Sequence, residues 1–161
     1  MTSKMQLYVG LDTHKKFVVG CVKNKEGRII FERKFKNNPH SMDEFLLNVP
    51  RDSKIALESS SCWQYVFDYL EDKGYEVALS NPSKTRLIGE SKKKTDKEDA
   101  RKIADLLRMN MLPLSYAAPT HVRMQRQITR HRASLVTMQT RLKNKIHAIL
   151  RRHGIGTEMT M

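Results

Sequence analysis

Apolar runs and alternations divide the chain into a strand-rich first part and a helical second part. Residues 6–12 read as a buried strand closed by an acid, Asp12. After the polar turn Thr13-His14-Lys15-Lys16, residues 17–22 give a second strand, and residues 28–35 a third beyond the Asn24 to Gly27 turn. Short polar turns join all three, which predicts an antiparallel meander. Asn37-Asn38-Pro39 breaks the pattern, and Ser41 is placed to N-cap a short helix over residues 42–48. Residues 54–58 read as a fourth strand, again ending on an acid, and residues 75–80 as a fifth. The amphipathic helix between them, residues 63–73, stops at Gly74; such a crossover makes strands four and five parallel. Ser59, Ser60 and Ser61 read as helix-start residues, because no base is placed to make a triad with them.

After a short helical or irregular piece up to Gly89, a helix is predicted over residues 96–109. Thr95 is its N-cap and Glu98 the acid of a capping box, with Ile103, Ala104, Leu106 and Leu107 on its apolar face. Prolines bound a linker over residues 111–119. A long helix follows, residues 120–152, in which Ile128, Leu135, Leu142 and Ile149 recur every seven positions. Met124, Met138 and Ile146 fill most of a second seam, and His131 and Lys145 weaken it. The pattern predicts a coiled coil, and the absence of a second long helix in the sequence predicts a homo-oligomer, dimer or higher, or packing on a segment outside this sequence. The expected domains are residues 1–110, then the linker, then a basic coiled-coil helix over 120–161.

Charge sharpens this division. Of the formal net charge of +13 over 161 residues, residues 1–90 carry +2 and residues 91–161 carry +11. The long helix has nine Lys and Arg from Arg123 to Arg152 and no acid. Clustering on a patterned helix favours a nucleic-acid partner over a membrane surface. The expected phosphate contacts are Lys92, Lys93 and Lys94 before the capped helix, and Arg123, Arg126, Arg130, Arg132, Arg141, Lys143 and Lys145 on the long one. No apolar run is long enough to span a bilayer and the N-terminus lacks a signal-peptide core, so no membrane role is expected. Cys21 and Cys62 match no zinc spacing and read as reduced thiols, which predicts a cytoplasmic protein.

Four acids stand out. Asp12 and Glu58 each end a strand, and Asp96 and Asp99 are three apart and share a helical face. Each has an ordinary explanation. Asp12 could serve the hairpin turn, Glu58 could cap the next helix, and acids in a first turn suit the macrodipole. In a mixed sheet with a central parallel pair, however, strand-end acids come close together. Crowded carboxylates need a cation, and hard oxygen ligands point to Mg²⁺ or Mn²⁺, the usual device for phosphodiester cleavage. Asp105 lies two and a half turns beyond Asp96 and is expected to face away. His14, beside Asp12, reads as a solvated turn residue, and Trp63 as core. An actin-like kinase or ATPase would need a glycine-rich phosphate loop after Asp12, which Thr13-His14-Lys15-Lys16 does not supply. The competing function is a non-catalytic nucleic-acid-binding and dimerisation module.

Three stretches in order, Val9-Gly10-Leu11-Asp12, Ala56-Leu57-Glu58-Ser59-Ser60 and Lys94-Thr95-Asp96-Lys97-Glu98-Asp99-Ala100, resemble the DEDD-type transposases of insertion sequences, which include the pilin-gene invertases. Arg141 to Leu150 is similar to the family's linking helix. The resemblance implies an α/β, RNase H-like (RuvC-like) mixed sheet with flanking helices, followed by a long C-terminal basic helix forming a coiled coil. It implies a metal-binding catalytic tetrad of Asp12, Glu58, Asp96 and Asp99, and DNA strand cleavage and exchange in transposition. It also implies a structured non-coding guide RNA, and a downstream domain bearing a nucleophilic serine. The sequence stops at Met161, so that domain is expected to be absent, and full recombination is not expected of this chain alone.

Overall fold

The structure of the chain, a computed structural model, describes residues 6–88 and 95–156. Lys92, Lys93 and Lys94 lie outside the described residues. The chain divides into two compact units, Met1–Tyr116 and Ala117–Met161.

The first unit is built on one five-stranded sheet. Its strands are β1 (Tyr8–Thr13), β2 (Phe17–Lys23), β3 (Ile29–Lys36), β4 (Lys54–Glu58) and β5 (Glu76–Ser80). Their order across the sheet is β3-β2-β1-β4-β5. β1 to β3 pair antiparallel, as the tight turns between them require, and β1, β4 and β5 run parallel. β1 and β2 are buried along nearly their whole length, whereas the edge strand β3 is largely exposed. This is the α/β mixed sheet with flanking helices that the resemblance implies.

Helices cover both faces. On one lie α1 (Pro39–Leu46) and α2 (Trp63–Asp72), joined to each other by a Lys73–Asp43 ion pair of 2.7 Å and by the Tyr69 hydroxyl donating to the Pro39 carbonyl. Phe45 of α1 fills the space over Gly20, where a Cβ would lie 2.5 Å from its ring. α3 (Pro82–Leu87) follows β5. α4 (Asp96–Arg108) packs on the opposite face against β1, β2 and β4, burying Ala100, Ile103, Ala104 and Leu106.

Two helix starts differ from the sequence reading. α1 begins at Pro39, not Met42, because the Asn38 side chain accepts from the Ser41 amide and so caps the helix in place of Ser41. Proline is a favoured first helical residue, so the same residue that ends the strand pattern opens the helix. α2 has Cys62 at its N-cap, with no side-chain capping bond, so Ser59, Ser60 and Ser61 are not its caps. The α4 cap is as expected: Thr95 Oγ1 accepts from the Glu98 amide at 3.3 Å.

α4 approaches the sheet unusually closely. A Cβ on Gly10 would lie 2.1 Å from the Ala100 carbonyl oxygen and 2.5 Å from the Ala104 nitrogen. Backbone therefore sits against backbone, with alanines on the helix side. Polar ties fix the sliding and rotation of the helix. Arg101 pairs with Glu32 of β3 through two nitrogens, one of them at 2.7 Å, and Lys23 of β2 meets Asp105 at 2.5 Å. The Arg101 hydrogen bonds hold the Glu32 carboxyl below its ordinary value. Asp105 thus faces away from Asp96, as helical spacing requires.

In the second unit α5 (Thr120–Arg152) buries none of its residues. Thirty-three residues make a rod of about 50 Å. Its seam residues Met124, Ile128, Leu135, Met138, Leu142, Ile146 and Ile149 are all exposed. Among the described residues no helix is long and apolar enough to cross a membrane.

Gly10→Ala is expected to cost about 3 kcal/mol or more, the upper range for overpacking, because the obstruction is backbone. Urea unfolding of the two proteins measures it; a loss under about 1 kcal/mol would mean that α4 moves away freely.

Candidate metal centre

The sheet register places the acids. Gly10 of β1 is level with Ala56 of β4 in the parallel pair. Two residues further along each strand, Asp12 and Glu58 emerge on the face that carries α4. The Gly10 contact sets α4 down so that its first turn, with Asp96 and Asp99, lies beside them. All four acids line one open cleft of about 420 Å³, together with Thr13, His14, Lys15, Ser60, Ser61 and Thr95.

The strand ends are tied to each other and to the turn. Thr13 Oγ1 and Ser60 Oγ are 2.8 Å apart, and Ser60 also donates to the Thr13 carbonyl at 3.1 Å. The His14 amide donates to the Phe17 carbonyl, and Asn37 Nδ2 donates to the His14 carbonyl at 2.8 Å. These bonds hold the strand ends that carry Asp12 and Glu58 and the turn that carries His14.

His14 belongs to the site, contrary to its reading as a solvated turn residue. Its Nε2 lies 2.9 Å from Asp12 Oδ2 and 3.5 Å from Asp96 Oδ1. The signal was available: two residues apart at a strand end, Asp12 and His14 share a face. Asp12, His14 and Asp96 each offer a ligand atom within 4.8 Å of the others. With its proton on Nε2, His14 donates to Asp12; on Nδ1, it frees Nε2 as a metal ligand. Two carboxylates and an imidazole at this spacing, with Glu58 and Asp99 on the same cleft, fit a hard divalent cation.

The electrostatics agree with that fit. Asp12 is 7% exposed. Burial, and then the negative charges of Asp99 and Asp96, push its carboxyl above the ordinary 3.8, against the opposing hydrogen bond from His14. A cation in the cleft would offset all three costs.

Residues 9–155 match the profile of a transposase family, the DEDD transposases of the IS110 type. The chain belongs to that family. It is also 28% identical over 109 residues to the transposase for insertion sequence element IS1533 from Leptospira borgpetersenii, a match covering 65% of this chain and 32% of that protein. The IS110-type chain thus spans about a third of that relative. Among solved structures it resembles T. thermophilus RuvC in complex with Holliday junction substrate, with 15% identity and a TM-score of 0.45. That match covers 68% of this chain and 99% of the RuvC chain.

Apart from Lys92, Lys93 and Lys94, which lie outside the described residues, the expected phosphate contacts of this family member fall on the second unit. Arg126, Arg130, Arg132, Arg141, Lys143 and Lys145 are exposed on α5, and Arg123, half-buried, reaches Thr120 Oγ1 at 3.0 Å.

The raised Asp12 carboxyl has a stability consequence. Folding favours its protonated form, so stability is lost as pH rises from 3.8 through the raised folded-state value, and the full cost is present above it. Asp12→Asn is therefore expected to raise the thermal midpoint of the metal-free chain at neutral pH. The advantage should shrink as pH falls through the raised folded-state value and be gone below 3.8. A variant that melts below wild type at neutral pH would contradict this.

Proposed function

We propose that this chain carries the metal-dependent DNA-cleaving centre of an insertion-sequence transposase, used for strand cleavage and exchange in transposition. One observation carries the reading: Asp12, Glu58, Asp96 and Asp99, from two strands and a helix, line one cleft with His14. Capping and turn roles account for acids singly, but give no reason for four to meet. Mg²⁺ or Mn²⁺ held by the tetrad would activate the attacking hydroxyl and stabilise the leaving oxygen of a phosphodiester. Asp12 and Asp96 would supply the inner ligands with His14. Glu58 and Asp99 would complete the set, and the Thr13–Ser60 tie would keep the two strand ends in register.

In the same proposal residues 1–110 are the catalytic domain, 111–119 the linker and 120–161 the oligomerising helix. Its basic residues, with Lys92, Lys93 and Lys94, would bind DNA phosphates, and its exposed heptad seam would pair with another copy. The family resemblance adds a structured guide RNA as a second polyanion for that helix. A DNA substrate fits work in the cytoplasm.

Nicking of a supercoiled plasmid by the chain tests the reading. Mn²⁺ should stimulate nicking, and Asp99→Asn should lower it by at least about 100-fold, the most that losing an outer partner of a metal usually costs. Equal nicking by wild type and variant would contradict the catalytic assignment. It would favour a non-catalytic nucleic-acid-binding and dimerisation module, which needs the basic helix and no metal.

A further inference from the structure

Besides Lys15 in its lining, the cleft has a second cation beside it, reached through Asp96, that the metal reading gives no role. Lys34 of β3 is level with Val19 of β2, which is level with Asp12 of β1. The three therefore form one row across the sheet and share the α4 face. Lys34 Nζ lies 3.9 Å from Asp96 Oδ2. It also sits 3.5 Å from the centre of the Phe17 ring, and that ring packs at 4.5 Å against the His14 ring. An aromatic face thus aims an ammonium that would otherwise range on a flexible stem.

Holding α4 in place is a poor account of this lysine. A 3.9 Å ion pair between half-exposed groups adds little stability, and the bidentate Arg101–Glu32 pair already joins the same helix and strand. A cation bound by Asp96 would repel Lys34 and compete for the same carboxylate. The ammonium would remain over Phe17, 54% exposed and next to Asp96 at the cleft wall.

We propose that Lys34 is a phosphate-positioning residue. It holds a backbone phosphate of the DNA strand at the cleft, and pairs with Asp96 when no metal is bound. The proposal rests on the reading of the cleft as the DNA-cleaving centre. No bond forms or breaks at Lys34; it supplies a fixed positive charge beside the metal site.

The test is the salt dependence of binding to a short fluorescent DNA duplex in Mn²⁺, from about 50 to 200 mM salt. For Lys34→Gln the slope of log affinity against log salt should become shallower by about 0.9, the value of one phosphate contact. Lys34→Arg should retain the wild-type slope, since guanidinium keeps both the charge and the stacking on Phe17. Lys54→Gln, at the far end of β4 from Glu58, serves as the control and should leave it unchanged. Equal slopes for wild type and Lys34→Gln would overturn the proposal, as would a loss in Lys34→Gln that Lys34→Arg fails to restore. Mn²⁺ calorimetry on the same proteins keeps the two readings apart. Lys34→Gln should bind Mn²⁺ at least as tightly as wild type, because a competitor for Asp96 is gone. A wild type that binds no Mn²⁺ would refute the metal centre, while the salt slopes would still decide the role of Lys34.

Discussion

The approach of α4 to β1 at Gly10 is the constraint on which the rest depends. There is no space for a single Cβ between that strand and the Ala100 and Ala104 turns of the helix. Hydrophobic burial draws α4 to the sheet, but burial alone does not choose a rotation. The small residues set the depth, and the Arg101–Glu32 and Lys23–Asp105 pairs set rotation and height. A rotation by one residue, about 100°, would turn Asp96 and Asp99 away from the strand ends. The acidic cleft is thus a consequence of close packing one turn further into the helix.

That geometry works against stability. It crowds a buried carboxyl, Asp12, with the charges of Asp96 and Asp99. His14 reaches in as a hydrogen-bond partner 2.9 Å from Asp12, and Lys34 as a counterion 3.9 Å from Asp96. A half-compensated cluster of this kind is a place where a cation or an anionic substrate exchanges partners with the protein. In the proposed reading the same residues have two states, paired among themselves or divided between metal and phosphate.

Much of this was legible in the sequence, for local reasons. Apolar runs punctuated by tight turns give the meander, and a helix between strands gives the parallel β4 and β5. Thr95 followed by Glu98 marks the start of α4, and a separation of three puts Asp96 and Asp99 on one face. What was not legible depends on long-range contacts or on a residue with two uses. Ser60 looks like a cap, but bonds to Thr13 across 47 positions. Pro39 ends one pattern and opens the next helix, with Asn38 as its cap. Nothing local marks Gly10 as the point where a helix ninety residues later must touch. Lys34 reads as one more charge on an edge strand until the register lines it up with Asp12. The seam of α5 was visible as a heptad, and its residues are exposed in the structure.

The central claim is that the four acids and His14 form one metal centre. Its most direct test is a crystal structure grown with Mn²⁺ and phased to show anomalous scattering. The account predicts a peak in the cleft with Asp12 and Asp96 as ligands, and Glu58 and Asp99 turned towards it. A peak elsewhere, or no peak under conditions that saturate ordinary Mn²⁺ sites, would contradict it.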